Sequence, residues 1–138
     1  MRNMSFMLTT DQIRNRTKTV TRRMGWRFLK PGALIQAIEK GQGLKKGEKV
    51  NRLAVLRVEA VTVDPLNSIT PQDVYREGFP QMTREEFIKM FKRTHKGCRV
   101  ATPVTRIQFS YVDPIEVTET EDQPLSEASP SVPSEAQK

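Results

Sequence analysis

The stretch VNRLAVLRVEAVTVDPL, residues 50–66, constrains the fold more than any other part of this chain. Its side chains alternate. Leu53, Val55, Arg57, Glu59 and Val61 fall on one face, and Ala54, Leu56, Val58, Ala60 and Thr62 fall on the other. The second face is wholly small or apolar but for a threonine, while the first carries an Arg–Glu pair of interior style. No other segment offers so long a strand, so a sheet must be built around it.

The remaining elements read as strands and short helices around that strand. SFMLT suggests a first strand, and Thr10 caps one or two helical turns in DQIRNR. TKTVTRR is β-branched and alternating, hence a strand. LKPGALIQAIEK gives a Pro-Gly turn followed by a strand. GQGLKKGEK reads as a mobile basic loop. Thr70 and Pro71 open a short helix to about Arg76. Thr83 with Glu86 forms a capping box for a second helix, whose Phe87, Met90 and Phe91 share an apolar face. TPVTRIQFSYV closes the body as a strand, with Val104, Ile107 and Phe109 in or near the core. This α+β order, with short links between strands, predicts a small, curved, mostly antiparallel β-barrel with short helices packed against it.

The 138 residues divide by composition at about residue 112. Residues 1–112 hold 22 Lys+Arg against 9 Asp+Glu, a net charge of +13. Residues 113–138 carry a net charge of −6 and are rich in Ser, Pro and Glu, so this segment is expected to be a disordered acidic tail. A body so basic favours polyanions such as nucleic acid. No apolar run reaches membrane-spanning length, no signal-peptide pattern opens the chain, and the one cysteine cannot form an internal disulfide. Cytoplasmic residence and a monomeric state are the defaults. His95 and Cys98 in HKGC are too few ligands for zinc, so no metal or other cofactor is expected.

The chemistry concentrates in one segment. Between Arg14 and Lys30 lie seven cations and no acid, with Trp26 and Phe28 interleaved. Arginine forks suit phosphate oxygens and aromatic faces suit unpaired bases, which makes Arg22, Arg23, Trp26 and Arg27 candidates for holding RNA or a nucleotide. The alternative is a solvated face with Trp26 in the core. Thr19 and Thr21 share a strand face, with Lys18 on the other. A threonine becomes a nucleophile when a base takes its proton, and a lysine kept neutral by burial or nearby cations can be that base. Glu77, between a short helix and Gly78, could shuttle protons or simply pair with a cation.

KTVTRR, the Trp26 and LKPG that follow it, the long strand, REGF, the capped helix and VTRIQFSYV together resemble the ASCH domain family. The resemblance covers about residues 5–112. It implies a barrel like that of PUA RNA-binding domains, with a cleft between barrel and helices, and a role in binding RNA or a nucleotide-like ligand. One branch, the bacterial N4-acetylcytidine amidohydrolases, uses a lysine, a threonine and a glutamate. Its Lys-Thr-Ile-Thr-Ile-Arg motif aligns with residues 18–23, so the resemblance implies a catalytic set of Lys18, Thr21 and Glu77, with the motif arginine at Arg23. Thr19, Arg22, Arg23, Trp26 and Arg27 are the expected contacts to substrate or RNA.

In the implied mechanism Lys18 deprotonates Thr21, whose oxygen attacks the amide carbonyl. Strict alternation separates Lys18 from Thr21, so they converge only if Lys18 precedes the regular strand or lies at a bend. The chain departs from the family pattern at Ala33, where an acid is common, and in its glycine-rich insertion. A non-catalytic RNA-binding module and a ribonuclease are the alternatives for the same basic cleft.

Overall fold

The structure, a computed structural model, describes residues 1–41 and 47–113. The expected acidic tail beyond Asp113, and the middle of the glycine-rich loop, lie outside the described residues. Five strands form one sheet: β1 (Arg2–Ser5), β2 (Val20–Arg23), β3 (Leu34–Ile38), β4 (Arg52–Pro65) and β5 (Pro103–Val112). Their order is β1-β3-β4-β5-β2, with β1 and β3 parallel and every other neighbouring pair antiparallel. Among the described residues three α-helices accompany them, α1 (Thr10–Arg14), α2 (Pro71–Arg76) and α3 (Arg84–Thr94).

The long strand predicted from its alternation is the spine of this sheet. It pairs with β3 along its first half and with β5 from Val55↔Val112 to Pro65↔Pro103. Alternation does not persist along it. A β-bulge at Glu59 lets Val58 face Phe109 and Ala60 face Gln108. The extra residue swaps the faces, so Leu56 and Val58 are buried before the bulge while Val61, and not Thr62, packs on the core after it. Such a bulge also bends and twists the strand, which curls the sheet. Glu59 itself is exposed and accepts a hydrogen bond from Ser110 Oγ at 2.5 Å.

The amino terminus differs from its expected form. The first strand covers residues 2–5 and not 5–9, because its ladder runs parallel to β3 from Arg2↔Ile35 to Ser5↔Ile38. Phe6 then turns into the core, its N–H donating to the Ile38 carbonyl at 2.8 Å, and Met7–Thr9 wind into a 3-10 turn. Thr9 is the N-cap of α1 and Thr10 its first helical residue. The other two helices start as the sequence predicts. Thr70 Oγ1 accepts from the Asp73 N–H ahead of Pro71, and Thr83 and Glu86 exchange both bonds of the capping box.

Two apolar clusters result. Met4, Phe6, Ile13, Ile35, Leu56, Val58, Ile107 and Phe109 fill the curled sheet. Leu66, Ile69, Val74, Phe87, Phe91 and Val104 join α2 and α3 to the far end of β4 and β5. A cavity of about 210 Å³ opens between them, walled by Phe6 from one cluster and by Phe87 and Phe91 from the other.

Candidate active site

Four segments meet at this cavity: the 3-10 turn after β1, the run Lys18–Arg23, the end of α2 and the inner face of α3. Lys18 reaches it because it is not part of β2. The chain leaves α1 through Arg16 at a left-handed φ of 62°, and the Thr17 and Lys18 N–H groups both donate to the Gln12 carbonyl. Tyr111 Oη then donates to the Lys18 carbonyl at 2.6 Å, and the Thr19 N–H donates to the Arg76 carbonyl at 2.8 Å. The ladder of β2 starts only at Val20. Lys18 thus escapes the alternation that would separate it from Thr21, and both side chains line the cavity.

Glu77 is the C-cap of α2 and is followed by Gly78 at φ 101°. A Cβ on Gly78 would lie 2.8 Å from Gln12 Cγ, so the left-handed turn and the close approach of α1 both require glycine there. The turn aims Glu77 inward. Lys18 Nζ donates to Glu77 Oε1 at 2.7 Å and to the Glu77 carbonyl oxygen at 2.8 Å. Arg22 Nη1 reaches Glu77 Oε2 at 3.3 Å, so each carboxylate oxygen meets its own cation.

Lys18, Thr21, Arg22 and Glu77 are all at most 6% exposed. Burial lowers the pKa of Lys18; the charge and hydrogen bond of Glu77 oppose the shift, and the charges of Arg23 and Arg22 add to it.

Asp73, one turn before Glu77 on α2, completes the charge network and was missed in the sequence. Its Oδ2 accepts from Arg22 Nη2 and from Arg106 Nε, each at 2.6 Å. Arg22 and Arg106 are direct cross-strand partners on β2 and β5, an arrangement that repels unless a carboxylate lies between them. Burial by itself would raise the Asp73 pKa. The hydrogen bonds from Arg106, Arg22 and Arg76 outweigh it and hold the carboxyl well below the usual range. The signal was available: Asp73 and Glu77 stand four apart, on one face of a helix.

The arginines divide. Arg22 is committed to Asp73 and Glu77. Arg23 lies over the Phe6 ring, 4.5 Å from its centroid, and its Nε donates to Thr21 Oγ1 at 3.1 Å. Burial pushes its pKa down to about 10. Thr19, Trp26 and Arg27 do not line the cavity. Trp26 follows Gly25 in a left-handed turn at φ 64°, packs half-buried against the sheet core and meets the Phe28 ring at 5.4 Å. Arg27 is exposed beside it.

One further group belongs to the cavity. His95, the C-cap of α3, lines the wall facing Thr21 and Lys18 together with Phe87, Met90 and Phe91. Its sequence signal is the repeat of ring side chains at 87, 91 and 95, one helical face. Among the described residues, no three of His, Cys, Asp and Glu cluster as a metal would require.

Comparison with solved structures bears on the fold. An ASCH domain from Lactobacillus crispatus JV V101 superposes with a TM-score of 0.57 at 13% identity, covering 80% of this chain and 78% of that one. The chain has the ASCH-domain fold. A DUF984 protein from Enterococcus faecalis V583 gives a TM-score of 0.62 at 15% identity over 94% of this chain and 85% of its own. The S128A variant of an ASCH protein from Zymomonas mobilis gives 0.51 at 14% identity over 88% and 79%. No family model and no curated protein matches the sequence. Among the described residues, no helix is long and apolar enough to cross a membrane.

Proposed function

We propose that this ASCH-fold chain is an amidohydrolase that takes an N-acylated nucleobase, such as that of N4-acetylcytidine, into the cavity between sheet and helices. The observation that carries this is the Lys18–Glu77 pair at 2.7 Å, buried in one cavity with the Thr21 hydroxyl. A cavity of about 210 Å³ with aromatic walls suits a planar ring of that size better than a peptide or a folded polynucleotide.

The residues supply each proton the reaction needs. Within the buried pair the shared proton moves from Lys18 to Glu77, leaving a neutral amine and a carboxylic acid. Lys18 takes the proton of Thr21, and Thr21 Oγ1 bonds to the acyl carbon. Arg23 Nε, already 3.1 Å from that oxygen, favours its anionic form. The C–N bond then breaks, and Glu77 gives its proton to the departing amine. Water attacks the threonine ester, loses a proton through the same pair, and releases the carboxylic acid with Thr21 regenerated.

Acetate release from N4-acetylcytidine tests this directly. Turnover by the wild type and its loss in Thr21→Val support the assignment, whereas retained turnover in the variant removes Thr21 as nucleophile. If the wild type turns over no acylated nucleoside, the hydrolase reading fails.

A second reading, a module that binds single-stranded RNA, is favoured by an exposed face. There Phe28 is 55% exposed, Arg2 lies 4.7 Å from its ring centroid, and Trp26 stands alongside. Stacking with cations nearby suits unpaired bases. Binding in low salt that falls steeply with ionic strength, and weakens in Phe28→Ala, supports it; a flat salt response refutes it.

A further inference from the structure

We infer that His95 is a specificity-determining residue of the cavity, reading an N–H or O–H donor on the ligand through Nε2. The inference rests on the nucleoside reading above.

The ring is fixed from two sides. Its plane lies 3.7 Å from that of Phe91, measured between centroids, at an interplanar angle of 6°. Nδ1 lies 3.0 Å from the Phe91 carbonyl oxygen. A carbonyl only accepts, so the proton must sit on Nδ1. Thr94 agrees with this: its hydroxyl donates to the Met90 carbonyl at 3.0 Å, leaving its oxygen, 3.0 Å from Nδ1, as a second acceptor. In the neutral ring Nε2 is therefore a lone pair. Among the described residues it has no hydrogen-bond partner, and it belongs to a side chain that lines the cavity.

The cavity's charged groups have a different character, while its hydroxyls on Ser5, Thr9, Thr21 and Thr94 both donate and accept. Lys18, Arg22 and Arg23 donate, and Glu77 spends its acceptors on Lys18 and Arg22. An acceptor that is held rigidly and not already occupied is what a donor-bearing ligand needs, because the entropy of ordering the ring has been lost beforehand. The exocyclic N–H of cytidine, or of its N4-acyl derivative, is such a donor. Burial lowers the His95 pKa first, and the Arg23 charge adds to this against the Phe91 hydrogen bond and the Glu77 charge. The shift favours the neutral ring over the charged one. The charged groups that line the cavity with it are Lys18 just ahead of β2, Arg22 and Arg23 on β2, and Glu77 at the end of α2.

His95 is the chain's only histidine, so its ring nitrogens give isolated resonances. Long-range proton–nitrogen spectra of the full chain are expected to show the Nδ1–H tautomer. Titration with cytidine and N4-acetylcytidine is expected to move Nε2 toward the hydrogen-bonded position. His95→Phe, which keeps the stack on Phe91 and deletes the acceptor, is expected to weaken calorimetric binding of both nucleosides about tenfold. It should raise KM more than it lowers kcat. His95→Gln should restore part of the loss. An Nε2–H tautomer in the free protein overturns the inference. Calorimetric binding with Nε2 unmoved overturns it while leaving the nucleoside reading intact, and failure of both nucleosides to bind overturns both.

Discussion

Glu77 accepts twice from one ammonium: Lys18 Nζ lies 2.7 Å from its Oε1 and 2.8 Å from its own carbonyl oxygen. The side chain and the backbone of the same residue therefore fix the lysine. The carboxylate's other oxygen takes Arg22 at 3.3 Å. Removing this charge leaves two buried cations facing each other. Glu77→Gln is expected to lower unfolding free energy by about 3–5 kcal/mol, read from urea denaturation, and to abolish turnover. The double variant Lys18→Met, Glu77→Leu should recover stability relative to the single one while staying inactive. Equal stability of wild type and Glu77→Gln would contradict the buried pair.

Asp73 sets a pH dependence. Its folded pKa lies below its unfolded value of about 3.9, so its stabilisation is present above that value. It is lost as pH falls toward the depressed folded pKa. Urea midpoints should fall between about pH 5 and pH 2, and that slope should flatten in Asp73→Asn. The variant should also cost about 3 kcal/mol at neutral pH, because Arg22 and Arg106 lose the charge between them. An unchanged slope would assign acid unfolding to other groups.

Gly78→Ala combines two penalties, a left-handed φ of 101° and a contact of 2.8 Å with Gln12 Cγ. A loss of about 2–3 kcal/mol is expected in thermal or urea unfolding. Gly78 directly follows Glu77, so strain at the turn shifts that carboxylate, and turnover should fall beyond what lost stability explains. Full activity in the folded fraction would show that the position of Glu77 tolerates displacement.

Tyr111 tests the backbone support of the lysine. Its hydroxyl donates to the Lys18 carbonyl at 2.6 Å, and burial raises its pKa, so it remains a donor at every physiological pH. Tyr111→Phe should cost about 1 kcal/mol of stability. A several-fold drop in kcat with KM little changed is expected. A change in KM alone would place Tyr111 at the ligand and not behind the lysine.

Much of the fold was legible locally. The β4 alternation up to Val58, the Thr70 and Thr83 caps and the buried face of α3 are short-range patterns, and each reappears in the structure. The bulge at Glu59 was not legible, because an extra residue on one strand is defined only by the register of its partner. The first strand shifted for a related reason: its extent is set by parallel pairing with β3, which no local propensity encodes.

The sequence by itself singled out Lys18–Arg23 and Glu77 as the candidate site, since charge, hydroxyls and the turn at Gly78 are properties of residue order. Tertiary structure alone decided how those residues pair and which of them line the cavity. Arg22 turned to Asp73 and Glu77, Arg23 turned to Thr21 and the cavity, and Trp26 and Arg27 fell outside it. A buried cation must find a counter-charge or lose its hydration uncompensated, and which carboxylate it finds depends on elements some fifty residues apart in sequence being packed together. His95 makes the same point from the other side. A lone histidine near a helix end carries no site signal in sequence; the fold sets its Nδ1 3.0 Å from the Phe91 carbonyl oxygen and its ring in the cavity wall.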